Sequence, residues 1–148
     1  MSDEAVACRI AVGVDASREA SAALKWALQL GAAVRASLFV VHGEGLLEGA
    51  GFGPKLDVAG LVRAAREASS TPAAEQPPLL AVVRPGPGAE ALLAVAGEYD
   101  VDLLVVGRRG AGDTARLLGS TSEHVLAHAS VPVVIVPTAM QPSASVER

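Results

Sequence analysis

The chain alternates short apolar runs with stretches in which apolar positions recur at helical spacing. Apolar side chains after the first run, such as Ala20, Leu24 and Ala27, fall on one face of a 3.6-residue period. Unbroken apolar strands separated by helices are typical of a parallel sheet covered on both faces. The pattern predicts an α/β fold of three layers, with five parallel strands joined by right-handed crossovers. The predicted strands are residues 9–14, 37–42, 79–84, 101–106 and 131–136.

Capping and turn residues mark the limits of the intervening helices. Ser17 is the predicted N-cap of the first helix, Pro54 suits the approach to the second, and the run from Pro85 to Gly88 opens the third. A fourth helix carries Val125. Residues 43–53, with five glycines, and 69–78 are predicted loops. We expect one domain over residues 9–137, an extension at 1–8, and a disordered tail at 138–148, where periodicity is absent.

Composition and charge exclude several classes of protein. The 148 residues are 51% hydrophobic and 19% charged, which argues against disorder and fits a single domain. A net charge of −4 and few aromatic residues disfavour nucleic-acid binding. No apolar run approaches the roughly 18 residues of a membrane span. Cys8 is the only cysteine, so no intrachain disulfide can form. We therefore expect a cytoplasmic protein with neither nucleic-acid nor membrane partners.

Two predicted strand ends carry the candidate chemistry. Ligands of open parallel sheets lie beyond the carboxyl ends of the strands, where the strand order reverses. The first strand ends at Asp15, and the fourth runs into a glycine-rich segment that contains Gly107 and Gly110 and leads to Gly119 and Ser120. Glycine turns and helix N-termini expose N–H groups that bind anions. The segment, to which Arg108, Arg109 and Arg116 add positive charge, predicts a phosphate site, although it matches neither the Walker nor the dinucleotide pattern.

Five segments form an ordered combination over about residues 9–136 of the chain. They are Ile10 to Asp15, Ala89-Glu90-Ala91-Leu92, Val105-Val106-Gly107-Arg108-Arg109-Gly110, Leu118-Gly119-Ser120, and the last run from Val131 to Val136. Together these segments resemble the universal stress protein family, whose nucleotide-binding members carry the motif G-x2-G-x9-G-[S/T]. The ordered combination is more specific than the glycine motif alone.

The resemblance implies a Rossmann-like sheet of order 3-2-1-4-5 that binds ATP or AMP, with or without Mg²⁺. By this analogy Asp15 accepts hydrogen bonds from the ribose, Gly13 and Val14 line the adenine side, and Gly43 borders the base. The ribose and phosphates are then held by Val106, Gly107, Gly110, Gly119, Ser120, Thr121 and Ser122. The resemblance also implies a homodimer formed through the last strand. This chain has eight residues between Gly110 and Gly119, one fewer than the motif.

Each candidate site also has a purely structural interpretation. Ser120 and Glu123 fit a capping box with Ser120 as N-cap, and Asp15 suits the start of a helix. His124 and His128 lie one helical turn apart and could share a metal, but no third ligand is apparent, although His42 ends another strand. A pair on one helix face is the favoured interpretation.

The main functional hypothesis is a stress-response protein that acts as a nucleotide-gated regulatory module. A slow Mg²⁺-assisted ATPase is less favoured, because no P-loop lysine is present and Asp113 is the only nearby carboxylate. A nucleotide-free dimeric interaction module is the other alternative.

Overall fold

The computed structural model describes residues 8–109 and 117–138, in which strands and helices alternate. The strands are β1 (Arg9–Gly13), β2 (Ser37–Glu44), β3 (Leu79–Pro85), β4 (Leu103–Gly107) and β5 (Val133–Val136). The helices are α1 (Arg18–Val34), α2 (Leu46–Gly49), α3 (Val58–Ala68), α4 (Gly88–Glu98) and α5 (Ser120–His128), with a 3₁₀ turn at Ala73–Glu75. The expectations for residues 1–7 and 139–148 lie outside the described residues.

The five strands form one parallel sheet in the order β3-β2-β1-β4-β5. This order confirms the predicted 3-2-1-4-5 arrangement. The chain moves outward from β1 through β2 to β3, then returns to the other side of β1 to form β4 and β5. The strand order therefore reverses between β1 and β4, and a crevice is expected beyond the carboxyl ends of these two strands.

Alternate side chains of the central strand enter two separate cores. Ile10 and Val12 pack with Leu24 of α1 on one face, whereas Ala11 packs with Leu92 of α4 on the other. Successive side chains of a strand point to opposite faces, so a strand covered on both sides is apolar throughout. Helices on both faces confirm the predicted three-layer fold. Within the described residues, no helix combines the length and apolarity that crossing a bilayer requires.

Capping at the start of α1 follows the prediction, and α1 ends on a left-handed residue. The Ser17 hydroxyl accepts a hydrogen bond from the Ala20 N–H at 3.1 Å, as an N-cap does. Arg35 follows α1 with φ 59°, and Ala36 then donates to the Gly31 carbonyl, which closes the last turn. The approach to α3 is capped by the Asp57 side chain, which accepts from the Gly60 N–H.

The element boundaries differ from the prediction in several places. β1 ends at Gly13, one residue earlier than predicted, and β4 spans Leu103–Gly107 where residues 101–106 were predicted. β2 continues to Glu44, because it pairs with β3 as far as Pro85. The predicted loop 43–53 holds α2, whose hydrogen-bonded turn tolerates the glycines around it. The last strand begins at Val133, two residues later than predicted, although the Pro132 carbonyl still accepts from the Leu104 N–H. Pro132 itself has no N–H to donate to the ladder.

Candidate functional site

A cavity of about 220 Å³ lies beyond the carboxyl ends of β1, β2 and β4. Eight of the eleven residues predicted for the site line it: Gly13, Val14, Asp15, Gly43, Val106, Gly107, Thr121 and Ser122. Gly119 and Ser120 stand beside them at the start of α5. Gly110 lies outside the described residues. The structure thus brings together residues from four separate parts of the sequence.

Asp15 lies two residues after the end of β1 and is half-buried. Its Oδ1 accepts a hydrogen bond from the Ser17 N–H at 2.8 Å, so the carboxylate helps to begin α1. Its other oxygen makes no hydrogen bond within residues 8–109 and 117–138. The geometry therefore accommodates both interpretations of Asp15, because helix initiation uses one oxygen and a second acceptor remains at the cavity.

Both backbone polar groups of Val14, just after β1, contact residues of β2. Its N–H donates to the Val41 carbonyl at 2.9 Å, and its carbonyl lies 3.0 Å from Nδ1 of His42. His42 is 6% exposed, and its Nε2 lies 2.9 and 3.0 Å from the two carboxylate oxygens of Glu48. The sequence analysis noted His42 only as a histidine at a strand end and missed this arrangement.

The structure favours the structural interpretation of the histidines. The rings of His124 and His128 stack at 4.4 Å between centroids, and His128 Nδ1 lies 3.0 Å from the His124 carbonyl. In the described part of the chain, no three His, Cys, Asp or Glu side chains form a group suited to a metal ion.

Gly107 and Gly43 are required by close backbone packing within the protein. A Cβ at Gly107 would lie 2.7 Å from the Cβ of Glu19 and 2.8 Å from its backbone carbon and oxygen. A Cβ at Gly43 would lie 2.7 Å from both the Gly86 carbonyl oxygen and the Gly88 Cα. The missing side chain at Gly107 therefore lets the first turn of α1 contact the end of β4. This need exists without any ligand.

The start of α5 uses some of the polar groups that were expected to face phosphate. Gly119 is the N-cap, and its N–H donates to the Arg108 carbonyl at 2.9 Å. The Ser122 hydroxyl donates to the Gly107 carbonyl at 2.6 Å and lies 3.1 Å from the Arg108 carbonyl. The prediction of Ser120 as N-cap is wrong, because the extended backbone of Gly119 places the cap one residue earlier.

Two backbone donors at this helix terminus remain. The N–H groups of Thr121 and Ser122 make no hydrogen bond within the residues that the structure describes. They belong to the first turn of α5, where N–H groups lack intrahelical partners and the helix dipole is positive. These donors can receive an anion at the wall of the cavity.

Arg109 and Asp15 are the charged residues among the described lining of the cavity. The guanidinium of Arg109 lies 3.8 Å from the carboxylate of Glu19, a residue of α1 outside that lining. Nε of Arg108 is buried with no hydrogen-bond partner in the described chain. Asp113 and Arg116 lie outside the described residues. The site thus combines an acceptor at one end with N–H donors and a guanidinium at the other, which suits a ligand with hydroxyl and anionic groups.

Four lining residues were not predicted: Ser17, Ala20, Val41 and Gly88. Each stands one or two residues from a predicted strand end or helix start, so the strand-end rule could have included them. Gly88 belongs to the Pro85–Gly88 run that was assigned only to opening a helix.

Comparison with known proteins places the chain in a family. The family model described as the universal stress protein family matches residues 8–137. No curated protein matches the chain.

Several solved structures, among them the following three, have a similar fold. A universal stress protein in complex with cAMP is 29% identical, with 90% of this chain and 98% of that chain covered and a TM-score of 0.67. A family protein from Burkholderia pseudomallei is 27% identical, with 87% and 95% covered and a TM-score of 0.58. UspA from Lactobacillus plantarum is 21% identical, with 87% and 97% covered and a TM-score of 0.65. The chain belongs to the universal stress protein family.

Proposed function

We propose that this protein binds an adenine nucleotide, ATP or AMP with or without Mg²⁺, in the cavity between β1 and β4. In this proposal it acts in the cytoplasm as a ligand-gated regulatory module of a stress response. The observation that carries the proposal is the single cavity that gathers eight separately predicted residues at the reversal of strand order. A family member at 29% identity in complex with cAMP supports the same class of ligand.

The proposed roles follow from which groups remain available. The unpaired oxygen of Asp15 accepts from ribose hydroxyls, and Val14, Gly13 and Gly43 border the base. The N–H groups of Thr121 and Ser122, together with Arg109, receive the phosphate end, next to Val106, Gly107, Gly119 and Ser120. Ser122 contributes its backbone and not its hydroxyl, because the hydroxyl proton already goes to Gly107.

A direct test identifies any nucleotide that accompanies the purified protein. Freshly purified protein is precipitated with acid, and the released small molecules are identified by mass. AMP, ATP and cAMP are then titrated into the emptied and refolded protein by calorimetry. We expect at least one to bind. The absence of both released nucleotide and measurable binding at millimolar concentration would contradict the proposal and favour the nucleotide-free module.

The Asp15→Asn variant tests the location of the site. Asn keeps an oxygen for the Ser17 N–H but removes the charged acceptor, so we expect nucleotide affinity to fall about tenfold. Asp57→Asn is the matched control, because the Asp57 carboxylate also accepts a backbone N–H at the start of a helix, from Gly60 at α3, and Asp57 does not line the cavity. Equal affinities for Asp15→Asn and the wild type would place the ligand elsewhere.

A regulatory module leaves its nucleotide intact, which separates it from an ATPase. We expect no phosphate release above background when ATP and Mg²⁺ are incubated with the pure protein. Phosphate release that is linear with time in the wild type and absent in Asp113→Asn would show that the protein hydrolyses ATP and would contradict the regulatory module.

We also propose that a homodimer forms through β5. This strand lies at the edge of the sheet, and Val133 and Ile135 are only partly buried. The carbonyls of Pro132 and Val136 accept from β4, so the intervening Val133 and Ile135 direct their N–H and C=O groups outward, where a second chain can pair.

Ile135→Pro removes one outward N–H and is expected to shift a dimer to monomer in sedimentation velocity. Val83→Pro is the control, because Val83 points its N–H outward from the opposite edge strand, β3. A wild-type monomer, or equal behaviour of the two variants, would contradict this interface.

A further inference from the structure

A buried histidine joins the cavity wall to the segment that follows β2. His42 is 6% exposed, and each of its ring nitrogens faces an oxygen of a different part of the chain. Nδ1 lies 3.0 Å from the carbonyl oxygen of Val14, which lines the cavity. Nε2 lies 2.9 Å from Oε1 of Glu48, in the short helix α2. The ring therefore holds two segments that do not otherwise share a hydrogen bond in the described chain.

On the cavity side, His42 fixes the orientation of one peptide unit. The bond between Val14 and Asp15 is trans, so its C=O and N–H point in opposite directions. Because the carbonyl faces His42, the Asp15 N–H of the same peptide unit points away from that ring. That N–H makes no hydrogen bond within the described residues. His42 thereby fixes the direction of an N–H donor that belongs to a residue lining the cavity.

On the other side, His42 holds residues 45–56 through Glu48. One carboxylate oxygen of Glu48 also accepts from the Leu56 N–H at 2.9 Å, so a single side chain joins both ends of this segment to β2. At the end of the segment, Leu56 packs against the core and Lys55 lies 3.4 Å from the carboxylate of Glu44 in β2. The rest has little apolar anchorage: no residue of α2 is buried, Leu46 is 89% exposed and Phe52 is 68% exposed. In α2 itself, attachment to β2 therefore depends on the contacts of Glu48 with His42.

We propose that His42 is a positioning residue that couples occupancy of the cavity to the stability of residues 45–56. The proposal rests on the proposed function, since the ligand is the adenine nucleotide of that cavity. A nucleotide that contacts the peptide unit of Val14 and Asp15 restricts it, which keeps His42 in place and strengthens the hold on Glu48. By linkage, the same free energy increases nucleotide affinity when residues 45–56 are held.

Two substitutions separate the two contacts of the ring. In His42→Asn, the amide nitrogen takes the place of Nδ1 and keeps the Val14 contact, but Glu48 is out of reach. In His42→Gln, the amide nitrogen takes the place of Nε2 and keeps Glu48, but loses Val14. The tightest binder among AMP, ATP and cAMP is the ligand, its affinity is measured by calorimetry, and amide hydrogen exchange reports residues 45–56.

In the wild type, we expect the nucleotide to slow exchange of the Phe52 and Leu56 amides by at least about threefold. His42→Asn is expected to bind within about twofold of wild type, whereas its Phe52 and Leu56 amides exchange faster and no longer respond to nucleotide. His42→Gln is expected to bind about five- to tenfold more weakly, with wild-type exchange in the free protein and no response to nucleotide.

The wild-type measurement needs no variant and decides the matter if either variant fails to fold. Binding without any change in exchange of residues 45–56 overturns the coupling and leaves the proposed function standing. Equal affinities and equal exchange in the two variants also overturn it. Failure of all three nucleotides to bind the wild type overturns the proposed function, and the coupling with it.

Discussion

The ends of β1 and β4 border the same cavity but use their polar groups differently. At the end of β4, the Gly119 N–H and the Ser122 hydroxyl bind the carbonyls of Arg108 and Gly107, so the segment holds itself together. At the end of β1, Asp15 spends one oxygen on the Ser17 N–H and keeps the other. The glycine- and serine-rich segment after β4 therefore offers a ligand fewer hydrogen-bonding groups than its sequence suggests. Asp15, in contrast, keeps one carboxylate oxygen available for a ligand.

The largest expected effect tests whether Gly107 serves the fold. Alanine there would place a Cβ 2.7–2.8 Å from Glu19, partly against rigid backbone. We expect Gly107→Ala to lower the free energy of unfolding by about 2–3 kcal/mol, the cost of overpacking a close contact, as measured by urea denaturation. Gly97→Ala is the control, since a Cβ there meets nothing within 4 Å on an exposed helix position.

Gly97→Ala should raise stability by up to about 1 kcal/mol, because alanine favours a helix. If Gly107→Ala kept wild-type stability and only weakened nucleotide binding, glycine at this position would serve the ligand and not the fold. The ends of β1 and β4 would then both keep groups available for the ligand.

Ser122→Ala measures how far the β4 end depends on its own hydrogen bonds. Loss of the hydroxyl leaves the Gly107 carbonyl without this donor and should cost about 1–2 kcal/mol in thermal or urea unfolding. The nearby exposed Thr121→Ala should stay within about 0.5 kcal/mol of wild type.

Nucleotide affinity of Ser122→Ala should remain within about twofold of wild type, because the backbone N–H is kept. A large loss of affinity at unchanged stability would instead assign the hydroxyl to the phosphate.

The sequence predicted the features that depend on local pattern, and missed those that depend on distant partners. Apolar runs and helical spacing sufficed for the strands, and the end of β1 identified Asp15. The N-cap is Gly119, whose N–H donates to the Arg108 carbonyl, and Gly107 is explained by Glu19 of α1, far away in sequence. No local signal reveals such contacts.

His42 illustrates the same limit. A lone histidine within an apolar strand has no pattern that reveals its partners, which are the Val14 carbonyl and Glu48. Glu48 itself lies in a stretch whose five glycines indicated a loop and concealed α2. The sequence analysis therefore identified residues at strand ends, and it missed the contacts that these residues make with distant parts of the chain.

A smaller effect is expected from the ion pair between α1 and the segment that follows β4. Glu19 of α1 lies 3.8 Å from Arg109, and both side chains are largely buried. In Glu19→Gln, the guanidinium is released toward the cavity and the local charge becomes less negative. We expect about two- to threefold tighter binding of AMP or ATP by calorimetry at low salt, with the gain fading as salt is added.

Glu67→Gln removes an equal charge from an exposed position of α3 and is expected to change nothing. A similar gain in both variants would attribute the effect to net charge and not to Arg109.

The smallest expected effect is confined to the β1 and β2 side, at Glu48. The Leu56 N–H, and to a lesser degree His42, lower the pKa of Glu48 from its ordinary value of 4.5. A carboxyl whose pKa is lowered by folding contributes stability above its unfolded pKa and loses it as the pH falls through the folded value. Residues 45–56 should therefore lose exchange protection, relative to intrinsic rates, as the pH falls from the ordinary carboxyl range through the lowered pKa of Glu48, while β1 and β4 keep theirs. Glu48→Gln retains an oxygen for the Leu56 N–H but cannot ionise, so its protection should vary less with pH. A step of wild-type size in this variant would show that another group controls the segment, and the contrast between the two strand ends would then no longer extend to residues 45–56.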